Sequence, residues 1–304
     1  MNSAYIGKLM ELAEKDRNVV HLLADSGTGY DEMFRRNFPD QIYNFGIAEE
    51  NMVSAAAGMA TAGKIPFVFT AGAFLAYRSI EFIRDDICFQ NLNVKVAGMG
   101  SGLSWSSLGP THHTTEDVSM LRVLPNLMLL SASTPNQVRA CVQKAYEHLG
   151  PVYIKLEMNR EKEFFPEDCS VNEFGMDVLR DGSDLIIFTT GSILEDVMDA
   201  AEMLSEDGIN AKVADVTVLK PFCAEKAAEL IGSYNNIFTV EEHNIHGGLG
   251  SILAETSAYG GLGKKIIPIG LDDCFAEGYG TVKAVRRSNG LDAEGIYRKI
   301  KERI

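Results

Sequence analysis

Two short stretches carry the side-chain types that acid–base chemistry needs. The first, Asn44-Phe45-Gly46-Ile47-Ala48-Glu49-Glu50-Asn51-Met52, runs into an alanine-rich helix. Glu49 and Glu50 fall in its first turn, where the helix dipole favours carboxylates, and charge complementarity alone accounts for a glutamate there. Consecutive helical residues point about 100° apart, so at most one of the two turns inward. A carboxylate buried at that point can share a proton with a heterocyclic nitrogen. The second stretch is Leu108-Gly109-Pro110-Thr111-His112-His113-Thr114-Thr115-Glu116-Asp117. Gly109-Pro110 marks a turn, and Thr111 followed by Glu116-Asp117 predicts a capped short helix. Two histidines on a loop after a glycine-rich run suit proton handling. Neighbouring side chains diverge, so this pair chelates a metal poorly, and acid–base or hydrogen-bonding roles are favoured.

Those loops must be held by something rigid, and the rest of the chain supplies it. Apolar, β-rich runs alternate with helical-period segments along most of the length, the pattern of a parallel sheet covered by helices. Strands are predicted at Val19–Ala24, Phe67–Thr70, Val94–Gly98, Met128–Ser131, Tyr153–Leu156, Leu185–Thr190, Ala211–Asp215, Asn236–Val240 and Ile266–Gly270. Helices are predicted at Ser3–Lys15, Glu49–Ala62, Ile80–Phe89, Pro135–His148, Leu194–Ser205, Ala224–Tyr234, Gly250–Ala258 and Ala293–Ile304. The class is α/β in both halves. Residues 161–180 lack a sustained hydrophobic period and read as a linker between domains at 1–160 and 181–304.

Composition narrows the partners. The 304 residues include 28 basic and 42 acidic ones, a net charge of −14 that works against nucleic acid and anionic lipid. No apolar run of about 20 residues and no signal-peptide core appears, which points to a cytoplasmic protein. The five cysteines, Cys88, Cys141, Cys169, Cys223 and Cys274, are scattered without a C-x-x-C pair and read as reduced thiols. No structural metal site is expected.

Taken in order, the Asn44–Met52 motif with its alanine-rich helix, Gly109-Pro110-Thr111-His112-His113 with Glu116-Asp117, Leu121-Arg122 with Pro125-Asn126, and Glu241-Glu242-His243-Asn244 with Gly247-Gly248-Leu249-Gly250 resemble the C-terminal half of transketolase. The related 1-deoxyxylulose-5-phosphate synthase shares most of the pattern. The resemblance implies a thiamine-diphosphate enzyme component with a pyrimidine-binding domain and a C-terminal domain. It implies that Glu49 hydrogen-bonds N1′ of the aminopyrimidine and shares its proton, which activates the cofactor's reactive carbon. Phe74 and Tyr77 match the aromatic residues that stack on and flank the pyrimidine, and Asp25 lies in the loop nearest the cofactor. His112 matches the histidine facing the substrate's reacting oxygens, with His113, Trp105 and Leu108 lining the substrate. The Gly247–Gly250 run reads as a tight helix entry, and His243 as a structural or subunit-contact residue.

Two departures carry as much information. The family holds the cofactor's diphosphate through Mg²⁺ with a Gly-Asp-Gly motif and a later asparagine, and this chain has no Gly-Asp-Gly. The resemblance therefore implies a split enzyme in which a second polypeptide binds diphosphate and Mg²⁺, in an α₂β₂ assembly. Leu108 stands where the family has an acidic residue, Met158 where it has a phosphate-binding arginine with Arg160 two residues on, and an N-terminal arginine has no counterpart. Losing guanidinium–phosphate contacts disfavours ordinary pentose and tetrose phosphates as acceptors of the two-carbon ketol unit. The competing readings are the β subunit of a 2-oxo-acid dehydrogenase first component and a non-catalytic scaffold subunit.

Overall fold

The computed structural model describes residues 1–26, 29–157 and 162–304. Met158 and Arg160 lie outside the described residues. The first half runs α1 (Asn2–Lys15), β1 (Val19–Leu23), α2 (Gly29–Asn37), β2 (Ile42–Asn44), α3 (Glu49–Thr61) and β3 (Ile65–Ala71). Two π-helical turns, Phe74–Arg78 and Ile83–Cys88, then flank the single turn α4 (Ile80–Phe82). β4 (Lys95–Met99), α5 (Asp117–Leu121), β5 (Met128–Ser131), α6 (Pro135–Glu147) and β6 (Val152–Leu156) complete it. The second half runs β7 (Met176–Arg180), β8 (Leu185–Thr190), α7 (Leu194–Glu206), β9 (Ala211–Val216), β10 (Val218–Lys220), α8 (Ala224–Gly232), β11 (Ile237–Asn244), α9 (Leu249–Tyr259), β12 (Ile266–Leu271), α10 (Val282–Ser288) and α11 (Ala293–Lys301).

The strands form two sheets in the orders β10-β5-β6-β4-β3-β1-β2 and β12-β11-β8-β9-β7. Every pairing is parallel except those of the edge strands β10 and β7. Strands such as β1, β4 and β6 are buried along their whole length, as a sheet covered on both faces requires. On one face of the first sheet Tyr5, Leu9, Val138 and Val142 pack onto Phe67 and Ile154. On the other, Met52, Val53, Ala56 and Ile83 join Val68 and Val96 in a cluster that continues into Phe188, Leu230 and Leu253 of the second half.

The segment expected as a linker does not stay one to residue 180. Its last five residues form β7, antiparallel to β9, with only Met176 fully buried. An edge strand with one covered face carries too little apolar sequence to announce itself. The same holds for β2 and β10, each three residues long. β10 leaves the second half to pair with β5 of the first sheet, so the halves interlock.

A buried carboxyl sits at that interlock. Asp215 of β9 accepts hydrogen bonds from Ser133 Oγ at 2.5 Å and Gln137 Nε2 at 2.8 Å, both beside the start of α6. Burial pushes it up to about 7, against those two donors. A carboxyl raised on folding stabilises fully below its unfolded value and loses that contribution as pH climbs through the folded one. Wild-type melting temperature should thus fall between about pH 4 and pH 7 through this group, at ~1.4 kcal/mol per unit of displacement. Asp215→Asn keeps the shape and can meet both partners. Scanning calorimetry should show that fall flattened in the variant; parallel curves would assign the pH dependence elsewhere.

Candidate active site

In the first sheet the chain passes from β1 to β2 on one side and then to β3 on the other, a topological switch point. Ligands of such sheets bind beyond the strand C-termini, where the loops part. The loops after β1, β2, β3 and β4 bring Asp25, Glu49, Phe74 and residues 100–116 to that end. Asp25 takes a left-handed backbone (φ 51°), and its N–H donates to Asn44 Oδ1 at 3.1 Å. Asn44 Oδ1 also accepts the Gly46 N–H at 2.9 Å. Asp25 thereby ties the loop after β1 to the glycine turn that leads into α3.

Of the two glutamates, Glu49 turns inward and is 1 % exposed, while Glu50 stays half-buried. Ala48 gives α3 no side-chain cap, and the Glu49 carboxylate pairs with a cation from the loop after β3. Arg78 Nη1 donates to Glu49 Oε2 at 2.5 Å, and the same guanidinium carbon sits 4.9 Å from the Phe74 ring centroid. The wide π-turn places Phe74 and Arg78 four residues apart on one side, which an arginine–aromatic contact then secures. Phe74 meets His112 edge-on at 5.1 Å, and His112 meets Trp105 at 6.0 Å. Glu49, Arg78, Phe74, His112 and Trp105 therefore form one continuous row of contacts. Sequence reasoning does not single out Arg78; its position one turn beyond Phe74 is the available signal.

Tyr77 plays a different part from Phe74. Its hydroxyl donates to Glu116 Oε2 at 2.5 Å and accepts the N–H groups of Thr115 and Glu116 at 3.0 and 3.2 Å. Burial, then the Asp117 and Glu116 carboxylates, push the phenol far above its usual range, so it stays a neutral clasp. It fixes the π-turn to the far end of the histidine loop. The two histidines of that loop diverge. His112 is half-buried with Thr111 Oγ1 at 2.9 Å from its Nδ1, so Thr111 does not cap α5. His113 is buried behind it, and burial lowers its pKa. Both His113 ring nitrogens, Thr114 Oγ1 and Trp105 Nε1 are buried without a hydrogen-bond partner. Unsatisfied polar groups are rare in folded proteins, and four in ten residues mark a loop built for something besides its own packing. Leu108 is 47 % exposed at the rim.

The support beneath this loop is ionic. Asp117 receives Lys155 Nζ at 3.2 Å and Tyr153 Oη at 3.0 Å, all three buried. Burial works to lower the Lys155 pKa, but the Asp117 and Glu157 carboxylates hold it above its usual range. From the second half, Glu242 at the end of β11 accepts the Leu103 N–H at 2.9 Å. Arg286 of α10 holds that carboxylate at 2.5 Å and also reaches Asp196 and Ser192 Oγ, each at 2.7 Å. Gly102 takes φ 63°, and a Cβ there would lie 2.3 Å from Glu242 Oε2, so only glycine lets the carboxylate in. Its neighbour Glu241 caps α9 by accepting the Leu249 and Gly250 N–H groups, the tight helix entry expected of the glycine run. His243 is a buried internal residue whose Nε2 accepts the Ser119 N–H.

Residues 1–160 match the family described as transketolase, pyrimidine binding domain, and residues 175–296 match transketolase, C-terminal domain. The molecule is thus a two-domain subunit of the thiamine-dependent type. One of the subunits of an apulose-4-phosphate transketolase from Actinobacillus succinogenes is 35 % identical over 92 % of this chain and 90 % of that protein. A 6-deoxy-6-sulfo-D-fructose transketolase subunit from a Clostridium species is 32 % identical over 99 % of this chain and 94 % of that one. A solved structure described as a split gene transketolase in an inactive β4 tetramer superposes with a TM-score of 0.91 at 35 % identity, covering 99 % and 97 % of the two chains. The chain belongs to the transketolase family, as a transketolase-like subunit of the split kind. That places it on the transketolase side of the choice with 2-oxo-acid dehydrogenases. Among the described residues no helix is long and apolar enough to cross a membrane.

Proposed function

We propose that this chain is the pyrimidine-side half of an enzyme that moves a two-carbon ketol unit from a ketose donor to an aldehyde or aldose acceptor, active only with a second polypeptide. The observation that carries it is the buried Glu49 carboxylate at the switch point, in one row with Phe74 and His112. These residues fit thiamine diphosphate: Glu49 Oε1 accepts no hydrogen bond among the described residues, and Phe74 offers a half-buried ring beside it. When bound, that cofactor supplies the carbon nucleophile that carries the ketol unit.

Glu49 holds a proton at the pyrimidine nitrogen, Phe74 stacks on the pyrimidine ring, and Tyr77 and Asp25 keep the flanking loops in register. Arg78 neutralises Glu49 while the site is unassembled and, being 41 % exposed in its side chain, can swing out. His112 exchanges a proton with the reacting oxygens, and neutral His113 buttresses it from behind. Trp105 and Leu108 line the acceptor.

Diphosphate and Mg²⁺ fall to the partner, because the chain has no Gly-Asp-Gly. The inactive β4 state of the similar solved structure accords with a chain that lacks half its site. Two of each chain close an α₂β₂ assembly with paired sites. The relatives' sugars, apulose 4-phosphate and sulfofructose, support a modified acceptor or donor over a common pentose phosphate. Mixing the chain with a partner that carries Gly-Asp-Gly should produce ketol transfer that neither chain shows alone. Co-purification with a lipoyl-bearing acyltransferase core instead would return the dehydrogenase reading.

A further inference from the structure

We infer that Tyr279, on the second domain, is a specificity-determining residue at the acceptor mouth, forming with Leu108 a wall for an uncharged aldose segment. The inference rests on the ketol-transfer reading. The loop after β12 reaches back over the first domain and is pinned to the histidine loop twice: Ser106 Oγ donates to Gly280 O at 2.8 Å, and Gly280 N–H donates to Ser106 O at 3.2 Å. This pairing lays the Tyr279 ring against Gly109. Gly109 has φ 78°, and a Cβ there would stand 2.4 Å from Tyr279 Cε1, so the ring edge fills the space a side chain would need.

Gly109 is part of the site's framework. Its carbonyl accepts the His112 N–H at 2.9 Å and its N–H donates to Trp105 O at 3.1 Å. Tyr279 is therefore one hydrogen-bonded turn from His112 and beside Leu108. It is nevertheless 68 % exposed, and its hydroxyl makes no hydrogen bond among the described residues. An aromatic ring clamped along one edge and bare on a face is suited to the C–H face of a sugar, with the free phenol meeting a hydroxyl.

Charge sets the class. Residues 104–109 and 272–281 contain no lysine or arginine, and Asp272, Asp273 and Glu277 are all exposed. A phosphate brought against these two segments finds no guanidinium or ammonium in them, whereas an uncharged polyol meets a ring and a hydroxyl.

The test uses the assembled enzyme with hydroxypyruvate as donor, whose loss of CO₂ leaves the same two-carbon unit, and either D-ribose or D-ribose 5-phosphate as acceptor. Tyr279→Ala should raise KM for D-ribose about tenfold, the scale of one lost apolar or hydrogen-bonding contact. kcat, donor KM and KM for ribose 5-phosphate should stay within about twofold. Tyr279→Phe should restore most of the loss. Equal shifts for both acceptors, a shift in donor KM, or loss of assembly would each overturn the assignment and make Tyr279 a structural or interface residue. A wild-type complex that binds thiamine diphosphate but transfers no ketol unit to any acceptor would overturn the functional reading itself, and this inference with it.

Discussion

Glu49→Gln in the assembled enzyme should lower kcat by about 10²–10⁴-fold, the range general acid–base catalysis contributes, while leaving the fold intact. The amide keeps the size of the buried side chain but cannot pass a proton to or from a ring nitrogen. Its ionic partner Arg78 is 41 % exposed in its side chain and can hydrate once released. The stability cost should accordingly stay within about 1 kcal/mol, as for other half-exposed pairs. Steady-state rates beside melting curves separate the two effects. An unchanged rate would make the chain a scaffold whose carboxylate serves only to hold Arg78.

Arg286→Met should show the opposite balance, a loss of about 3–5 kcal/mol in unfolding free energy. Arg286 is 2 % exposed and answers two carboxylates, Glu242 and Asp196, from different elements. Burial already raises the Asp196 pKa with the guanidinium in place; removing it leaves two uncompensated acids in the interior. Adding Glu242→Gln to Arg286→Met should recover part of the loss, because one buried charge is then gone. Denaturant midpoints measure both steps. Glu242 also holds the Leu103 N–H, so the single variant should loosen the histidine loop and depress activity beyond the loss of folded protein. Additive single and double effects would contradict the coupling.

The elements legible in the sequence are those whose burial imposes a period. β1, β8 and β9 are buried along nearly their whole length and rich in apolar residues, and α6 and α7 carry one apolar stripe. What stayed hidden has little local signature: the three-residue strands, the edge strand β7 inside the expected linker, and the conversion of the predicted helix over 80–89 into a turn of α-helix and a π-turn. The site divides the same way. Glu49 and His112 stand in compact motifs, and the geometry brings them into one row through Phe74. Arg78, Glu242, Arg286 and Tyr279 reach the site from remote positions or as unremarkable types. A contact such as Tyr279 on Gly109, 170 residues apart, leaves no spacing to read. His113 shows a limit of another kind, since its place on a loop beside half-buried His112 gives no sign that this ring is buried and unpartnered.

The central claim is that this chain holds only the pyrimidine side of a thiamine-diphosphate site. Isothermal titration of the purified chain with thiamine diphosphate and Mg²⁺, alone and mixed with a Gly-Asp-Gly partner, tests it most directly. The expected result is no measurable heat from the chain alone and saturable binding in the mixture at one cofactor per chain pair. Tight binding by the chain alone would contradict the split-site account.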